Sequence, residues 1–268
     1  FSTLHRHGIF SAQAKLVHHS SAPGQIGIVF PVTLGVTGST ANFIAGLSER
    51  AAKGGLRKPW VDVAKARAEW ETELQGEVRH EAEPIQSQFV AHMIRKVMPR
   101  NAMLVVDAGN GGKHVRSHFK SFEPGTFMSI DDWASVGGSF PIALGAKLAR
   151  PDRPVLCASG DMGAMCNIGE LETAMREKIP VVYVVFNDQG LGNERAFQNE
   201  HYGGRFYAVD YKNPDFGALA RVFGAHGEHV TRPGDLEDAL RRAFASGKPA
   251  IVDVMIDQKT LAPVVYKP

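Results

Sequence analysis

The sequence predicts an α/β fold, a doubly wound parallel sheet with helices on both faces. Two runs, 154–159 and 181–186, are apolar without polar alternation, which is typical of strands buried on both faces of a parallel sheet. Between them, Ile168 and Leu171 have the spacing of one apolar helix face. Strands and helices alternate in this way across residues 84–268, and such alternation predicts one doubly wound domain there.

Composition places the chain among ordinary globular proteins. Of its 268 residues, 44% are hydrophobic and 22% are charged, and the net charge of +2 favours neither nucleic acid nor a membrane as a partner. No apolar run approaches the roughly eighteen residues of a membrane span, and none has the layout of a signal peptide. Two cysteines, Cys157 and Cys166, indicate neither a disulfide framework nor a zinc site, so we expect a reducing, cytoplasmic location.

The first part of the chain has weaker patterns. We expect a strand within Ile26–Val36 and a helix over Thr40–Ala52, followed by a charged helix between residues 53 and 83. Several histidines near the start have no supporting Cys or carboxylate, which argues against a metal site among them. They are His5, His7, His18 and His19.

Each element of the α/β domain has its own signal. Apolar residues at Ile85, Phe89 and Met93 predict its first helix. Asn167 and Glu170 have the spacing of a capping box and predict the start of another. The remaining predicted elements are a strand at Met103–Asp107, a helix with Pro141 in its first turn, a helix at Asp215–Phe223, a strand at Gly227–Val230, a helix at Asp235–Ala245, a strand at Ala250–Met255 and a surface tail at 257–268.

The stretch from Gly160 to Gly192 joins two strands through one helix and carries two acidic residues. Asp161 follows the first strand, and Asp188 follows the second, 27 residues later. Because a right-handed βαβ unit brings the carboxyl ends of neighbouring strands to one edge, we expect these carboxylates to lie close together. Two carboxylates with nearby carbonyls suit Mg²⁺, and the glycines leave backbone N–H groups free for phosphate. Ordinary turn formation is the alternative for either aspartate taken singly.

The same stretch resembles the thiamine diphosphate binding motif of the acetolactate synthase, pyruvate oxidase and 2-oxoacid decarboxylase family. That motif reads Gly-Asp-Gly and, after a helix and a strand, Asn-Asn. The resemblance implies thiamine diphosphate and Mg²⁺ as cofactors, with the metal held by Asp161, Asp188 and the carbonyl of Gly190. Met162 stands where the motif has Gly, and Asp188 where it has its second Asn.

The resemblance implies further cofactor contacts from two other loops. One is the glycine-rich loop after the strand that ends at Asp107. In the other, Val136 falls where the family has a large apolar residue that props the cofactor in a bent conformation. The implied cofactor-binding residues are Gly109, Asn110, Gly111, Ala134, Val136, Gly160, Asp161, Met162, Gly163, Asp188, Gly190 and Leu191.

The resemblance also implies how the chain is divided. The run Gly27–Gly38 is similar to the end of the family's central domain, so residues 1–52 are predicted to be the C-terminal part of that domain, 53–83 a linker helix and 84–268 the diphosphate-binding domain. The family's cofactor-activating glutamate lies in its first domain, and no residue here corresponds to it. The expected partners are therefore missing N-terminal domains or another chain that carries the pyrimidine-binding domain, in a homodimer or homotetramer.

Several reactions share this cofactor motif. The segments Gly192–Gln198 and Tyr202–Phe206 look most like sulfoacetaldehyde acetyltransferases, while acetolactate synthases and 2-oxoacid decarboxylases stay open, as does a non-catalytic subunit or degenerate homologue. Arg195, His201 and Arg205 are the candidates for binding an anionic small-molecule substrate, with a solvated surface as the alternative. A nicotinamide enzyme is disfavoured because no Gly-x-Gly-x-x-Gly opens a helix after a strand.

Overall fold

The computed structural model describes residues 10–11, 13–54, 61–130 and 133–262. The described residues form two compact units, one ending at Glu69 and the other beginning at Trp70. Within these ranges, no helix has both the length and the apolar character needed to cross a membrane.

The first unit contains a small parallel sheet and a helix. Strand β1 (Val17–Ser20) pairs with β2 (Leu34–Thr37), and a 3-10 helix (Pro23–Gln25) lies between them in sequence. Helix α1 (Thr40–Gly54) follows, which confirms the helix predicted over Thr40–Ala52. Helix α2 (Val63–Glu77) begins in this unit.

The strand predicted within Ile26–Val36 is wrong over most of its length. Only its last three residues, from Leu34, pair in the sheet. Gly27 has a left-handed φ of +77° and Pro31 has no N–H to donate, so the backbone before β2 turns instead of extending. No apolar pattern predicts β1, because two histidines and a serine occupy three of its four positions.

The second unit is built on six parallel strands in the spatial order β4-β3-β5-β6-β8-β7. The strands are β3 (Met103–Val106), β4 (Phe127–Ser129), β5 (Val155–Gly160), β6 (Val182–Asn187), β7 (His226–Val230) and β8 (Ala250–Met255). Every neighbouring pair is parallel, so the predicted parallel sheet is confirmed.

Helices cover both faces of this sheet. They are α3 (Ser87–Val97), α4 (Asn110–His118), α5 (Ser139–Ala149), α6 (Asp161–Asn167), α7 (Glu170–Arg176), α8 (Gly192–His201), α9 (Phe216–Val222) and α10 (Leu236–Ala245), with a second 3-10 helix at Pro233–Asp235. Leu104 and Val106 of β3 belong to one apolar cluster, whereas Val105 belongs to another with Phe140 of α5 and Leu171 of α7. Because successive strand residues point to opposite faces, the two clusters confirm the doubly wound arrangement.

The helix after β5 starts earlier than the capping-box pattern predicts. Helix α6 begins at Asp161, directly after β5, and Asn167 is its last residue, not an N-cap. The Asp161 carboxylate accepts the N–H of Met162 at 2.7 Å and so satisfies a donor that the first turn leaves free. A separate helix, α7, then begins at Glu170 with Gly169 at its N-cap.

Helix α4 and strand β4 have no counterpart among the predicted elements. The predicted glycine-rich loop after β3 is short, because α4 already begins at Asn110. Its glycines allow close packing: a Cβ at Gly111 would lie 2.9 Å from the ring of Phe186 on β6. Strand β4 has only three residues, which is too few for a period-2 pattern to stand out.

Candidate cofactor site at the carboxyl edge of the sheet

Three adjacent strands end in polar residues at one edge of the large sheet. Strands β3, β5 and β6 are neighbours and parallel, and the chain leaves them through Asp107, Asp161 and Asp188. Ligands of open parallel sheets bind at this carboxyl edge. The side chains that leave these strands therefore define the candidate site.

Asp161 is 1% exposed and accepts four hydrogen bonds. Its Oδ1 accepts from the hydroxyl of Tyr211 and the N–H of Met162, both at 2.7 Å. Its Oδ2 accepts from Nδ2 of Asn213 at 2.7 Å and from the N–H of Gly190 at 3.3 Å. Burial raises the pKa of this carboxyl in spite of these donors. The donors hold both carboxylate oxygens in fixed positions.

Asp188 lies close to Asp161 on the turn after β6. Burial raises the pKa of Asp188, and the charge of Asp161 raises it further, while the Arg195 guanidinium lowers it. Its Oδ2 also lies against the start of α8, because a Cβ at Gly192 would come within 2.6 Å of it. Two buried carboxylates that repel each other favour a bound cation between them.

The carbonyl of Gly190 points to the same place as Asp161. The turn between β6 and α8 passes through Gln189, whose φ is +53°, and Gly190 forms a bridge with Asp210. The hydroxyl of Tyr211 lies 2.7 Å from Oδ1 of Asp161 and 3.0 Å from the Gly190 carbonyl oxygen, so these two oxygens converge. Carboxylate and carbonyl oxygens in such an arrangement are the ligand set that Mg²⁺ prefers.

The N-terminus of α4 lies beside this turn. Gly109, at the N-cap of α4, has a φ of +100°, and no atom lies near the position of its missing Cβ. The side chain of Asn110 donates to the carbonyl of Thr260 at 2.8 Å and accepts from the N–H of Ala262 at 2.7 Å. Within the surface tail predicted at 257–268, Thr260 and Ala262 are thus bonded to Asn110 and Ala262 is buried, so the prediction is wrong for these two residues; residues 263–268 lie outside the described ranges.

The loop before α5 packs on the first turns of α6. Ala134 has a φ of +48° and Gly137 a φ of +85°. A Cβ at Gly137 would lie 2.6 Å from Cβ of Cys166 and 2.8 Å from the carbonyl oxygen of Gly163. Val136, between these two left-handed residues, is 51% exposed. The loop therefore holds an apolar side chain outward next to α6.

The other implied cofactor residues flank the same turns. Gly160 and Met162 lie on either side of Asp161 at the start of α6. A Cβ at Gly163 would overlap the hydroxyl of Ser159, so this helix approaches the sheet closely. Leu191 caps the start of α8 and donates its N–H to the carbonyl of Val209 at 2.8 Å.

Of the candidate substrate residues, one lines an open cavity and one is buried. Arg205 contributes to a cavity of about 570 Å³ that is also lined by Asn193, Glu194, Phe197, Gln198, Tyr202 and Tyr207. Arg195 is 7% exposed, forms an ion pair with Asp210 and stacks its guanidinium over the ring of Phe206. His201 packs its ring against Phe197 at 4.4 Å. Arg195 therefore does not line the cavity. It pairs with Asp210, which bridges to Gly190 in the turn after β6.

Asp107 is a site residue that sequence reasoning missed. It is fully buried at the end of β3, and its carboxylate accepts from the N–H groups of Ala108 and Gly137. The hydroxyls of Ser139 and Ser159 lie 2.8 and 2.7 Å from its Oδ2. Asp107 therefore joins the loop before α5 to β3 and β5. Its signal was the one that marks Asp161, an acidic residue directly after a buried strand.

Tyr211 and Asn213 were also missed. They lie between α8 and α9 in a segment without regular structure, yet both donate to Asp161. No spacing rule relates them to Asp161, which is about 50 residues earlier in the chain. Only the folded chain brings them together.

The fold and the site together define an α/β domain whose sheet carries buried acidic residues at its carboxyl edge, where such sheets bind ligands. Residues 107–254 match the model of the thiamine pyrophosphate enzyme, C-terminal TPP binding domain, and the chain belongs to this family. Thiamine pyrophosphate and thiamine diphosphate are two names for one cofactor.

Curated relatives include sulfoacetaldehyde acetyltransferases and acetolactate synthases. The chain is 29% identical over 286 residues to sulfoacetaldehyde acetyltransferase of Alcaligenes xylosoxydans xylosoxydans, covering 95% of this chain and 47% of that protein. It is 30% identical over 258 residues to the acetolactate synthase large subunit of Haemophilus influenzae, covering 93% of this chain and 44% of that protein. It is 35% identical over 164 residues to acetolactate synthase of Bacillus subtilis, covering 61% and 29%. The chain thus spans about half the length of the first two relatives.

Proposed function

We propose that this chain supplies the metal and diphosphate half of the active site of a thiamine diphosphate- and Mg²⁺-dependent enzyme. The observation that carries the proposal is the convergence of Asp161 Oδ1 and the Gly190 carbonyl oxygen beside Asp188. These three residues are the proposed metal ligands. Membership in the cofactor-binding family supports the choice of cofactor.

The other implied residues would hold the rest of the cofactor. The backbone N–H groups at Gly109, Asn110 and Gly111 open α4, and a helix N-terminus attracts phosphate groups. Val136 is the proposed apolar prop against the cofactor, since it is exposed beside α6. Bound here, thiamine diphosphate would supply a nucleophilic thiazolium carbon and an electron sink. The protein's own task is to bind, orient and exclude water.

For the reaction, we propose acyl transfer from a small aldehyde or 2-oxoacid, with sulfoacetaldehyde plus phosphate as the first substrates to test. The likeness to sulfoacetaldehyde acetyltransferase over 95% of this chain supports it. Arg205 pairs with no carboxylate in the described part of the chain and lines the cavity beside α8. A guanidinium in this position suits a sulfonate, phosphate or carboxylate group. The other two candidates would act indirectly on substrate binding. His201 packs against Phe197, which lines the cavity, and Arg195 forms an ion pair with Asp210.

Acetolactate synthesis or 2-oxoacid decarboxylation is the second candidate. The identity of 30% to an acetolactate synthase large subunit favours it over other reactions. A non-catalytic subunit or degenerate homologue is the third, and Met162 at the motif's second Gly is the residue that favours it. The first two candidate functions require the same metal site, whereas the third does not.

Replacing Asp161 by Ala tests the proposed metal site. Because the variant loses a hard oxygen ligand, we expect the affinity for thiamine diphosphate in the presence of Mg²⁺ to fall by about a hundredfold or more. Calorimetric titration of the full-length assembly, with and without Mg²⁺, measures this. Asp152→Asn, which changes an exposed carboxylate paired with Arg150, is the control. Equal affinity in D161A and the parent protein contradicts the assignment.

A further inference from the structure

We propose that Asp253 and His229 are positioning residues that fix the turn carrying Asp188 and the Gly190 carbonyl. Neither residue lies in the motif stretch, and His229 is on β7, at the edge of the sheet. The inference rests on the proposed function, because it concerns how the proposed metal ligands are held.

A continuous series of hydrogen bonds connects these residues to the site. Nδ1 of His229 lies 2.9 Å from Oδ2 of Asp253, and Nδ2 of Asn187 donates to Oδ1 of Asp253 at 3.0 Å. Oδ1 of Asn187 in turn accepts from Nδ2 of Asn213 at 3.0 Å, and the same Nδ2 donates to Asp161 at 2.7 Å. We call His229, Asp253, Asn187 and Asn213 the anchoring series.

Asp253 decides which way the Asn187 amide faces. An ionised carboxylate only accepts hydrogen bonds, so the NH₂ group of Asn187 must face Asp253 and its oxygen must face the other way. Both side chains are buried, with exposed fractions of 0% and 1%, so water does not offer other partners. The amide oxygen is thereby placed toward the turn.

The oxygen of Asn187 then shapes the turn itself. It accepts the N–H of Gln189 at 3.3 Å, and Gln189 has the left-handed φ of +53°. A residue other than Gly in this conformation needs support from its surroundings. Since Gln189 lies between Asp188 and Gly190, its conformation determines where both proposed ligands point. The anchoring series therefore acts on the ligands through the backbone.

His229 completes the support of Asp253. A ring nitrogen that faces a carboxylate at 2.9 Å carries the proton, so Nδ1–H donates to Asp253. The same Oδ2 accepts the N–H of Phe216 at 3.1 Å, which ties Asp253 to the start of α9. Asp253 thus has donors on both oxygens and one permitted orientation.

The hydrogen bonds also explain why Asp215, His229 and Asp253 lie within 4.8 Å of one another. Such a group has the composition of a metal site. Asp215, however, accepts the N–H of Ala218 at 2.7 Å as the N-cap of α9, and Asp253 is fully engaged as described. The positions of these three residues are therefore explained by the anchoring series together with the N-cap of α9.

Three variants of the full-length protein test the inference. Asp253→Asn keeps the volume but leaves a single acceptor oxygen for the donors of Asn187, Phe216 and His229, so Asn187 is no longer fixed. We expect the dissociation constant for Mg²⁺ with thiamine diphosphate to rise by about tenfold, the lower end of the range for residues that orient metal ligands. His229→Ala should weaken binding severalfold, and His229→Asn, whose NH₂ group can replace Nδ1–H, should restore most of it.

The control is Glu228→Gln, on the same strand as His229. The Glu228 side chain pairs with Arg242 and His226 and, among the described residues, forms no hydrogen bond or ion pair with the anchoring series, so its loss should leave cofactor affinity unchanged. Calorimetry gives affinity and stoichiometry, and a denaturation midpoint shows that each variant is folded. Equal affinity in the parent protein, D253N and H229A overturns the inference, as does an equal weakening in E228Q. The inference is also overturned if the parent protein binds two metal ions per chain and D253N binds one, because Asp253 would then be a metal ligand itself. If the parent protein itself binds no Mg²⁺ with thiamine diphosphate, the proposed function is wrong.

Discussion

Asp107 and Asp161 both follow buried strands, yet their carboxylates have different surroundings. Asp107 accepts from backbone and serine donors that belong to the loop before α5 and to β5. Asp161 shares its donors with the turn that carries Gly190 and faces a second carboxylate. The first arrangement is a closed structural junction, whereas the second brings two buried carboxyl groups together, which is the arrangement that the proposed metal site requires.

Replacing Asp107 by Asn tests that structural role. An amide has one acceptor oxygen, so at least one buried donor at Gly137, Ser139 or Ser159 loses its partner. We expect the free energy of unfolding to fall by about 2 kcal/mol. Urea denaturation of D107N and the parent protein measures it, and Asp152→Asn again provides the exposed control, with little expected change. Full stability of D107N would show that these hydrogen bonds do not support the loop.

His114 provides a pH-dependent test at the scale of one residue. Burial, together with the charge of the nearby His118, lowers the pKa of His114 to about 4. Between about pH 4 and the unfolded value near 6.5, the unfolded chain therefore binds a proton that the folded chain does not. The free energy of unfolding should thus decrease as pH falls through this window, by roughly 3 kcal/mol in total.

The variant His114→Asn should have a shallower loss of stability between pH 6.5 and 4.5 than the parent protein. Its own value at pH 8, where histidine is neutral in both states, measures the cost of the substitution without titration. Urea denaturation at several pH values gives both curves. Parallel curves for H114N and the parent protein would rule out this contribution.

At the scale of elements, sequence patterns predicted the core of the large sheet well. Five of its six strands, all but β4, and the helices α3, α5, α9 and α10 were predicted, mainly from apolar runs and helical spacing, because both faces of the sheet are covered. The errors lie where local polar residues control the backbone. The start of α6 depends on the Asp161 carboxylate. Helix α4 begins among glycines, and the absence of a side chain at Gly111 leaves room for the ring of Phe186.

The candidate site was predictable only where its residues share one βαβ unit. Asp161, Asp188 and Gly190 lie on consecutive elements, so strand ends and spacing indicate that they meet. Tyr211, Asn213, His229 and Asp253 come from later segments, and nothing in their local sequence indicates which residues they bond. Hydrogen bonds between distant segments are properties of the folded chain.

Gly137→Ala tests how the loop before α5 depends on its contact with α6. The φ of +85° disfavours Ala, and its Cβ would lie within 2.8 Å of Cys166, Asn167 and Gly163 atoms. We expect a loss of about 2 kcal/mol in the free energy of unfolding and weaker cofactor binding, because Val136 is carried by the same loop. Denaturation and calorimetry measure the two effects.

Gly145→Ala is the matched control for this loop. Gly145 lies within α5, and no atom lies near the position of its missing Cβ. We expect a gain of about 0.5–1 kcal/mol, since Ala is the better helix residue. A Gly137→Ala protein as stable as Gly145→Ala would mean that the loop does not need its left-handed glycine.

At the scale of the whole molecule, the proposed function requires the carboxyl edge of the sheet to bind one end of the cofactor. The proposed ligands would bind the metal, and the N-terminus of α4 would bind the diphosphate. Val136 would provide an apolar contact to the cofactor. The resemblance to the family implies that the glutamate which activates the cofactor lies in another domain. Relatives of which this chain covers 47% and 44% have room for such a domain.

We therefore expect the 268 residues to bind Mg²⁺ and thiamine diphosphate but not to turn over substrate by themselves. Turnover should require N-terminal domains of the family, on the same polypeptide or on another, because they would supply the activating carboxylate. The measurement is the formation of acetyl phosphate with release of sulfite from sulfoacetaldehyde and phosphate, or of acetolactate or acetaldehyde with carbon dioxide from pyruvate, together with the native mass of the active species. A monomer of 29.1 kDa that turns over either substrate with no other polypeptide present contradicts the prediction. Product from pyruvate alone would assign the assembled enzyme to the second candidate reaction.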